Sequence, residues 1–112
     1  MARPRLTRYS LSLYFTAFQL VGSISPASLF ISAELFVKIP IAGRVKLTSI
    51  KGSLKDGASV TATINVVVAK GSAKFTAKSN SSGKHDLYCT LFVNVVLFGD
   101  INLPDVKIFA LP

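Results

Sequence analysis

Residues 60–78, with the sequence VTATINVVVAKGSAKFTAK, decide the fold class, because apolar and polar side chains alternate along most of the stretch. The apolar positions of its first half are Val60, Ala62, Ile64, Val66 and Val68. A period of two places alternate side chains on opposite faces of a β-strand. Lys70-Gly71-Ser72 is a typical turn sequence. We therefore predict two strands joined at that turn, the second being half exposed.

The same period extends through the sequence on either side. Ile31, Ala33, Leu35, Val37 and Ile39 share one face of a predicted strand that Pro40 ends. A phase shift near Ser49 predicts a β-bulge, Lys55-Asp56-Gly57 predicts a tight hairpin, and residues 79–83 predict a loop. No segment of ten or more residues beyond position 28 has a helical period. The chain is therefore predicted to be all-β, an antiparallel β-sandwich of immunoglobulin or fibronectin-III-like type.

Residues 87–98 differ from the other predicted strands because both of their faces are apolar. The outer face of a strand in a two-sheet sandwich normally meets water, whereas a strand that is apolar on both faces is buried on both. The N-terminal segment or another subunit is expected to cover this face. We predict that Phe92, Val96 and Phe98 form the interface.

Two segments of the sequence match at a spacing of 56 residues. Leu35-Phe36-Val37, Gly43, Leu47 and Lys51 recur as Leu91-Phe92-Val93, Gly99, Leu103 and Lys107. A duplicated hairpin explains the match, and so does chance convergence of two strand-turn-strand units of similar composition.

Size and composition indicate a single small domain with an excess of apolar residues. The chain has 112 residues, of which 50% are hydrophobic and only 16% charged, against a typical charged share of about 25%. A small domain has a large surface for its volume, so much apolar content either stays exposed or meets a partner. Buried intersubunit surface is the favoured explanation, and a hydrophobic pro-segment or an enlarged core is the alternative.

The net charge is +8 and the basic residues are spread along the chain. Such a spread usually keeps an apolar protein soluble, and contact with nucleic acid or another anionic surface is the alternative. The candidate residues for such contact are Arg3, Arg5, Arg8, Lys70, Lys74, Lys78 and Lys84. Among the four lysines only Phe75 is a nearby aromatic residue, and basic residues interleaved with exposed aromatics are what single-stranded nucleic acid requires.

The N-terminus allows two interpretations. Residues 1–10 contain three arginines, Pro4 and no acid, and are predicted to form a flexible basic arm. Residues 11–28 precede the main β pattern and either add a strand to it or belong to a signal-like segment cleaved near Ser25. The domain proper is then residues 11–112.

The sequence offers few residues for chemistry. With one histidine and one cysteine no zinc site is expected, and Cys89, inside an apolar run, is predicted to be a buried small hydrophobe. His85-Asp86 invites comparison with a catalytic triad, but neighbouring residues on a strand point to opposite faces, and solvated loop residues are the simpler interpretation. No catalytic residue, cofactor or small-molecule substrate is predicted.

The central part of the sequence resembles type-two late embryogenesis abundant (LEA) proteins, which carry the water-stress and hypersensitive-response domain. Residues 29–40 resemble the first strand of that domain, residues 45–57 its second strand with a hairpin, and residues 91–103 its closing strands around Gly-x-Ile-x-Leu-Pro. The similarity covers about residues 29–108. It implies a fibronectin-like sandwich without catalytic residues.

Three functions follow from these observations, in decreasing order of support. The first is a structural assembly protein whose sandwich packs through apolar strands into a homo- or hetero-oligomer, such as a virion or another particle. The second is a soluble stress-protective β module of the LEA type. The third is an accessory protein that binds nucleic acid non-specifically through phosphate contacts.

Overall fold

The computed structural model describes residues 9–15, 17–40, 43–96 and 98–111. These residues form eight β-strands and one short 3₁₀ turn, Lys55–Gly57, which joins the fourth strand to the fifth. The strands are β1 (Tyr9–Phe15), β2 (Phe18–Ile24), β3 (Phe30–Ile39), β4 (Gly43–Ser53), β5 (Ser59–Val66), β6 (Ala69–Ser79), β7 (His85–Val95) and β8 (Gly99–Ala110).

The strands form two four-stranded sheets, in the orders β1-β2-β3-β4 and β5-β6-β7-β8. Every neighbouring pair is antiparallel, and one hydrophobic cluster joins the inward faces of the two sheets. The predicted antiparallel β-sandwich is confirmed. Immunoglobulin-type sandwiches have Greek-key connections, whereas each sheet here is a meander of consecutive strands, so the immunoglobulin or fibronectin-III-like type is not confirmed.

The core is built from alternate residues of the central strands. β3 buries all five of its predicted inward residues, and β7 buries Leu87, Cys89, Leu91, Val93 and Val95. Phe18 and Phe75 are the largest fully buried side chains, one from each sheet. Full burial of such a side chain stabilises the fold by about 1.5–3 kcal/mol. Period-two alternation is therefore what closes the two sheets on each other.

The turn between β5 and β6 is not where the sequence predicted it. Val67 and Val68 form the turn, and Lys70-Gly71-Ser72 lies inside β6. Glycine is needed at position 71 because a Cβ there would collide with the main-chain oxygen of Phe92 on the neighbouring strand. A glycine that marks close approach of two backbones resembles a turn glycine in sequence.

The connection at residues 55–57 also differs from the prediction. It is not a hairpin within one sheet, because it carries the chain from β4 in the first sheet to β5 in the second. Asp56 and Gly57 both have positive φ, as the Asp-Gly sequence favours. The bulge predicted near Ser49 is present, since the β3–β4 register shifts where Leu35 pairs with Thr48 and Phe36 pairs with Lys46.

The N-terminal segment forms the edge of the first sheet. β2 pairs with β3 from Phe18 opposite Val37 to Ile24 opposite Ile31, and β1 pairs with β2. Cleavage near Ser25 would remove both strands. β1 begins at Tyr9, inside the segment predicted as an arm, and residues 1–8 lie outside the described residues. Because β1 and β2 belong to the first sheet, they do not cover the outer face of β7.

The two matching segments of the sequence form equivalent hairpins. Each contains the third and fourth strands of its sheet, β3–β4 in the first and β7–β8 in the second. Four successive pairs have the same register at a 56-residue offset: Phe36–Lys46, Val37–Val45, Lys38–Arg44 and Ile39–Gly43 correspond to Phe92–Asn102, Val93–Ile101, Asn94–Asp100 and Val95–Gly99. Gly43 and Gly99 have φ of 79° and 80°. The sequence match is therefore a match of structure too.

Candidate functional site

Of the three residues predicted to form an interface, Phe92 lies on the outer face of the second sheet, and Val96 and Phe98 lie in the turn after β7. Phe92 is 50% exposed, Val96 68% and Phe98 41%. The Val96 main-chain N–H donates to the Val68 oxygen at 2.9 Å, which joins the β7–β8 turn to the β5–β6 turn. Val67, in that second turn, is 93% exposed. We call Val67, Phe92, Val96 and Phe98 the apolar end.

The predicted basic candidates are only partly brought together. Lys70, Lys74 and Lys78 lie on the outer face of β6, and Lys84 lies in the loop before β7. Lys78 pairs with Asp105 and stands 4.3 Å from the centre of the Tyr88 ring. Arg3, Arg5 and Arg8 lie outside the described residues.

Strand pairing adds aromatic neighbours that the order of the sequence did not show. Phe75, the one aromatic residue near these lysines in sequence, is fully buried. Tyr88 and Phe92 on β7 stand opposite Thr76 and Ser72 on β6, and so share the outer face with the lysines. The strands of this sheet carry three acids, Asp86, Asp100 and Asp105, against four basic residues, Lys70, Lys74, Lys78 and Lys107.

The first sheet carries the more basic outer face, which was not predicted from the sequence. Its strands have four basic residues and one acid, namely Lys38, Arg44, Lys46 and Lys51 against Glu34. Glu34 pairs with Lys46 at 2.7 Å. The available sequence signal was the alternation of β3 and β4, which places these basic side chains on one outer face.

A pocket of about 300 Å³ opens at the turn end of this face. It is lined by Tyr14, Ala17, Phe18, Gln19, Lys38 and Arg44. Lys38 and Arg44 are direct cross-strand partners. The Arg44 guanidinium donates to Gln19 Oε1 at 3.0 Å and stands 4.1 Å above the centre of the Phe36 ring. Tyr14 beside them is 76% exposed.

The residues around His85 and Asp86 are structural. His85 is the first residue of β7 and not a loop residue, and its main-chain oxygen accepts from the Leu111 N–H at 2.9 Å. Asp86 is buried and not solvated as predicted. Its carboxylate accepts from Asn80 Nδ2 at 3.1 Å and lies 3.6 Å from Lys107 Nζ. Asn80 also accepts two loop N–H groups, so this network fixes the β6–β7 loop.

Cys89 is buried, as predicted, and its burial raises the pKa of the thiol to about 12. Within the described residues no group of three or more histidine, cysteine or acidic side chains is placed to hold a metal ion. None of the helical segments in the described ranges is long and apolar enough to span a bilayer.

Searches of family models, curated proteins and solved structures found none that matches the chain. The resemblance to type-two LEA proteins stays a prediction.

Proposed function

We propose that the chain is a non-enzymatic structural protein whose copies associate through the apolar end of the second sheet. The observation that carries this proposal is the exposure of Phe92, Val96 and Phe98 together with the almost fully exposed Val67. Large apolar side chains that are grouped on one part of a surface mark interaction sites more often than scattered ones do. The partner is a second copy of the same chain.

Burial of apolar side chains is the driving force for association at this end. Burying one such side chain against a partner is worth about 1.5–3 kcal/mol as an upper estimate. The net charge of +8 makes copies repel each other, so an apolar contact must overcome that repulsion. Because salt screens the repulsion but not apolar burial, association should strengthen as the salt concentration rises.

The test is light scattering after size exclusion on the full chain and on the double variant Phe92→Ser/Phe98→Ser. The native chain is expected to form oligomers and the variant to elute as a folded monomer, with the far-ultraviolet circular dichroism of the native chain. Phe36→Ser is the matched control, because Phe36 occupies the equivalent position of the first sheet but lies under Arg44. It should leave the oligomer intact. A monomeric native chain, or a double variant that stays oligomeric, would contradict the proposal.

Non-specific contact with nucleic acid is the second candidate function, and the surplus of basic over acidic residues on the first sheet favours it. Each phosphate neutralised on duplex DNA contributes about 0.9 to the slope of log affinity against log salt concentration. Replacing Arg3, Arg5 and Arg8 should lower that slope by about three if all three contact phosphates. Binding that discriminates between sequences, or that persists at high salt, speaks against this function.

A further inference from the structure

We infer that the pocket between Lys38 and Arg44 is a binding site for a phosphate group. This inference does not depend on self-association, since the pocket lies on the first sheet and the apolar end on the second.

The charge of the cross-strand pair favours a bound anion. Lys38 and Arg44 are directly opposite each other on β3 and β4. Like charges at directly opposite positions destabilise an antiparallel pair. Within the described ranges neither cation has an acidic partner, because Glu34, the acid of this sheet's strands, pairs with Lys46. An anion held between the two cations would remove the repulsion.

The geometry of Arg44 suits contact with a phosphate. Its guanidinium is fixed on two sides, by the Phe36 ring at 4.1 Å and by Gln19 Oε1 at 3.0 Å. A guanidinium has five N–H donors, so a single hydrogen bond to Gln19 leaves donors for a bidentate contact with a phosphate. Holding the side chain in place before binding reduces the entropy lost on binding.

The equivalent pair in the second sheet has a different chemistry. Asn94 and Asp100 stand at the positions of Lys38 and Arg44, and Asn94 Nδ2 donates to Asp100 Oδ1 at 2.8 Å. The same backbone register therefore holds a mutually satisfied pair in one sheet and two cations in the other. The backbone tolerates either arrangement, so the two cations are not a requirement of the fold.

The wall of the pocket indicates what kind of molecule bears the phosphate group. Tyr14 is exposed beside the cations and offers a ring face on which a flat group can stack. A volume of about 300 Å³ is at the lower end of the range for small-molecule sites. Inorganic phosphate and a nucleoside monophosphate share the phosphate chemistry and differ in the ring.

The test is thermal unfolding of the full chain with inorganic phosphate or adenosine monophosphate, at constant ionic strength kept with chloride. A ligand present at about 100 times its Kd should raise the Tm by on the order of 10 °C for a chain of this size. Lys38→Asn/Arg44→Asp, which copies the second sheet's pair, should abolish the shift. Lys70→Asn/Lys74→Asp removes the same net charge from the second sheet and should retain it.

Three results would overturn the inference: no shift with either ligand, an equal shift in the Lys38→Asn/Arg44→Asp variant, or loss of the shift in the charge-matched control. The single variant Lys38→Asn keeps Arg44 on Phe36, and it should weaken binding while retaining the native circular dichroism. If adenosine monophosphate binds more tightly than inorganic phosphate, and Tyr14→Ala removes that difference, the natural ligand is a phosphate that carries a ring. Equal binding of both ligands assigns it to the free anion.

Discussion

The β3–β4 and β7–β8 hairpins have the same register over the four pairs next to their turns but present opposite chemistry on their outer faces. Phe36 and Phe92 occupy equivalent positions. Arg44 covers Phe36, whereas Asp100 stands at the position of Arg44 in the second hairpin and bonds to Asn94, which leaves Phe92 half exposed. The ring of the first hairpin therefore lies under a guanidinium and is partly buried, whereas the equivalent ring of the second hairpin is half exposed.

This difference divides the turn end of the sandwich into two surfaces. The first sheet contributes a cationic pocket and the second an apolar end, although both hairpins have a glycine of positive φ in the turn and an apolar inward row. Inward residues are constrained by the shared core, since a change of one methylene is felt there. Outward residues are free of that constraint, so the two halves differ where they meet solvent.

The largest expected effect tests a feature that both halves share, the glycine on the second strand of each sheet. A Cβ at position 22 would collide with the main chain at Ser32 and Ala33, and a Cβ at position 71 with the main chain at Phe92 and Val93. Main-chain atoms cannot move aside as a flexible side chain can. Gly22→Ala and Gly71→Ala should each lower the free energy of unfolding by about 3 kcal/mol or more in urea titrations.

Gly83→Ala is the control for those two variants, because a Cβ there meets no atom within 4 Å and only its φ of 75° is unfavourable. It should cost about 1 kcal/mol. If Gly22→Ala or Gly71→Ala lowers the free energy of unfolding by no more than this control does, the second strand of each sheet does not need glycine because of the close approach of the third strand.

The next effect tests the comparison of the two aromatic residues directly. Phe36→Ser removes a ring that stacks under Arg44 and should lower the free energy of unfolding by about 1–2 kcal/mol. Phe92→Ser removes an exposed ring and should change it by less than about 0.5 kcal/mol. Both are measured by urea unfolding at a protein concentration where the chain is monomeric. Equal losses would show that the outer face of the second sheet is as well packed as that of the first.

Asp100→Arg sharpens the same comparison by giving the second hairpin the residue that covers Phe36. The new guanidinium is expected to stack on Phe92 and so to reduce the apolar surface available to a partner. At a salt concentration that screens the two added positive charges, self-association of this variant in light scattering should be weaker than that of the native chain. Unchanged association would mean that Phe92 does not contribute to the contact.

The strands were predictable from the sequence to the extent that alternation alone determines them. The inward rows of β3 and β7, the bulge in β4 and the burial of Cys89 follow from a period of two, which fixes the face that a side chain occupies. The β5–β6 turn was misplaced because Gly71 serves the approach of β7, a contact 22 residues away in sequence. Glycine occurs both where two backbones approach closely and in turns, so the residue by itself does not distinguish the two.

The candidate sites were less predictable, because they depend on cross-strand neighbours. The second apolar face, with Phe92, Val96 and Phe98, was recognised from the sequence, since a strand that is apolar on both faces stands out; the interface predicted there stays a prediction. The pocket was not, because Tyr14, Gln19, Lys38 and Arg44 come from four strands. Only the register, with Lys38 opposite Arg44, brings the two cations together.

The last expected effect, which vanishes at neutral pH, concerns Cys89, whose counterpart at the 56-residue offset is the buried Ala33. Burial raises the pKa of the Cys89 thiol from 9.0 to about 12. The folded chain therefore holds this proton more tightly than the unfolded chain does. Its contribution to stability is fully present below pH 9 and is lost as the pH rises toward 12. At pH 10 the loss should be about 1.4 kcal/mol.

Cys89→Ala gives the second sheet the residue of the first and isolates this contribution from the tyrosines and lysines that also titrate at high pH. The fall in the free energy of unfolding between pH 8 and pH 10, measured by urea titration, should be smaller in the variant by that amount. The buried thiol should also react with a thiol reagent at neutral pH only at the rate of unfolding, because the thiolate is the nucleophile. A fast reaction would show that Cys89 is accessible in the folded chain, and the same pH dependence in both proteins would show that burial does not raise the pKa of its thiol.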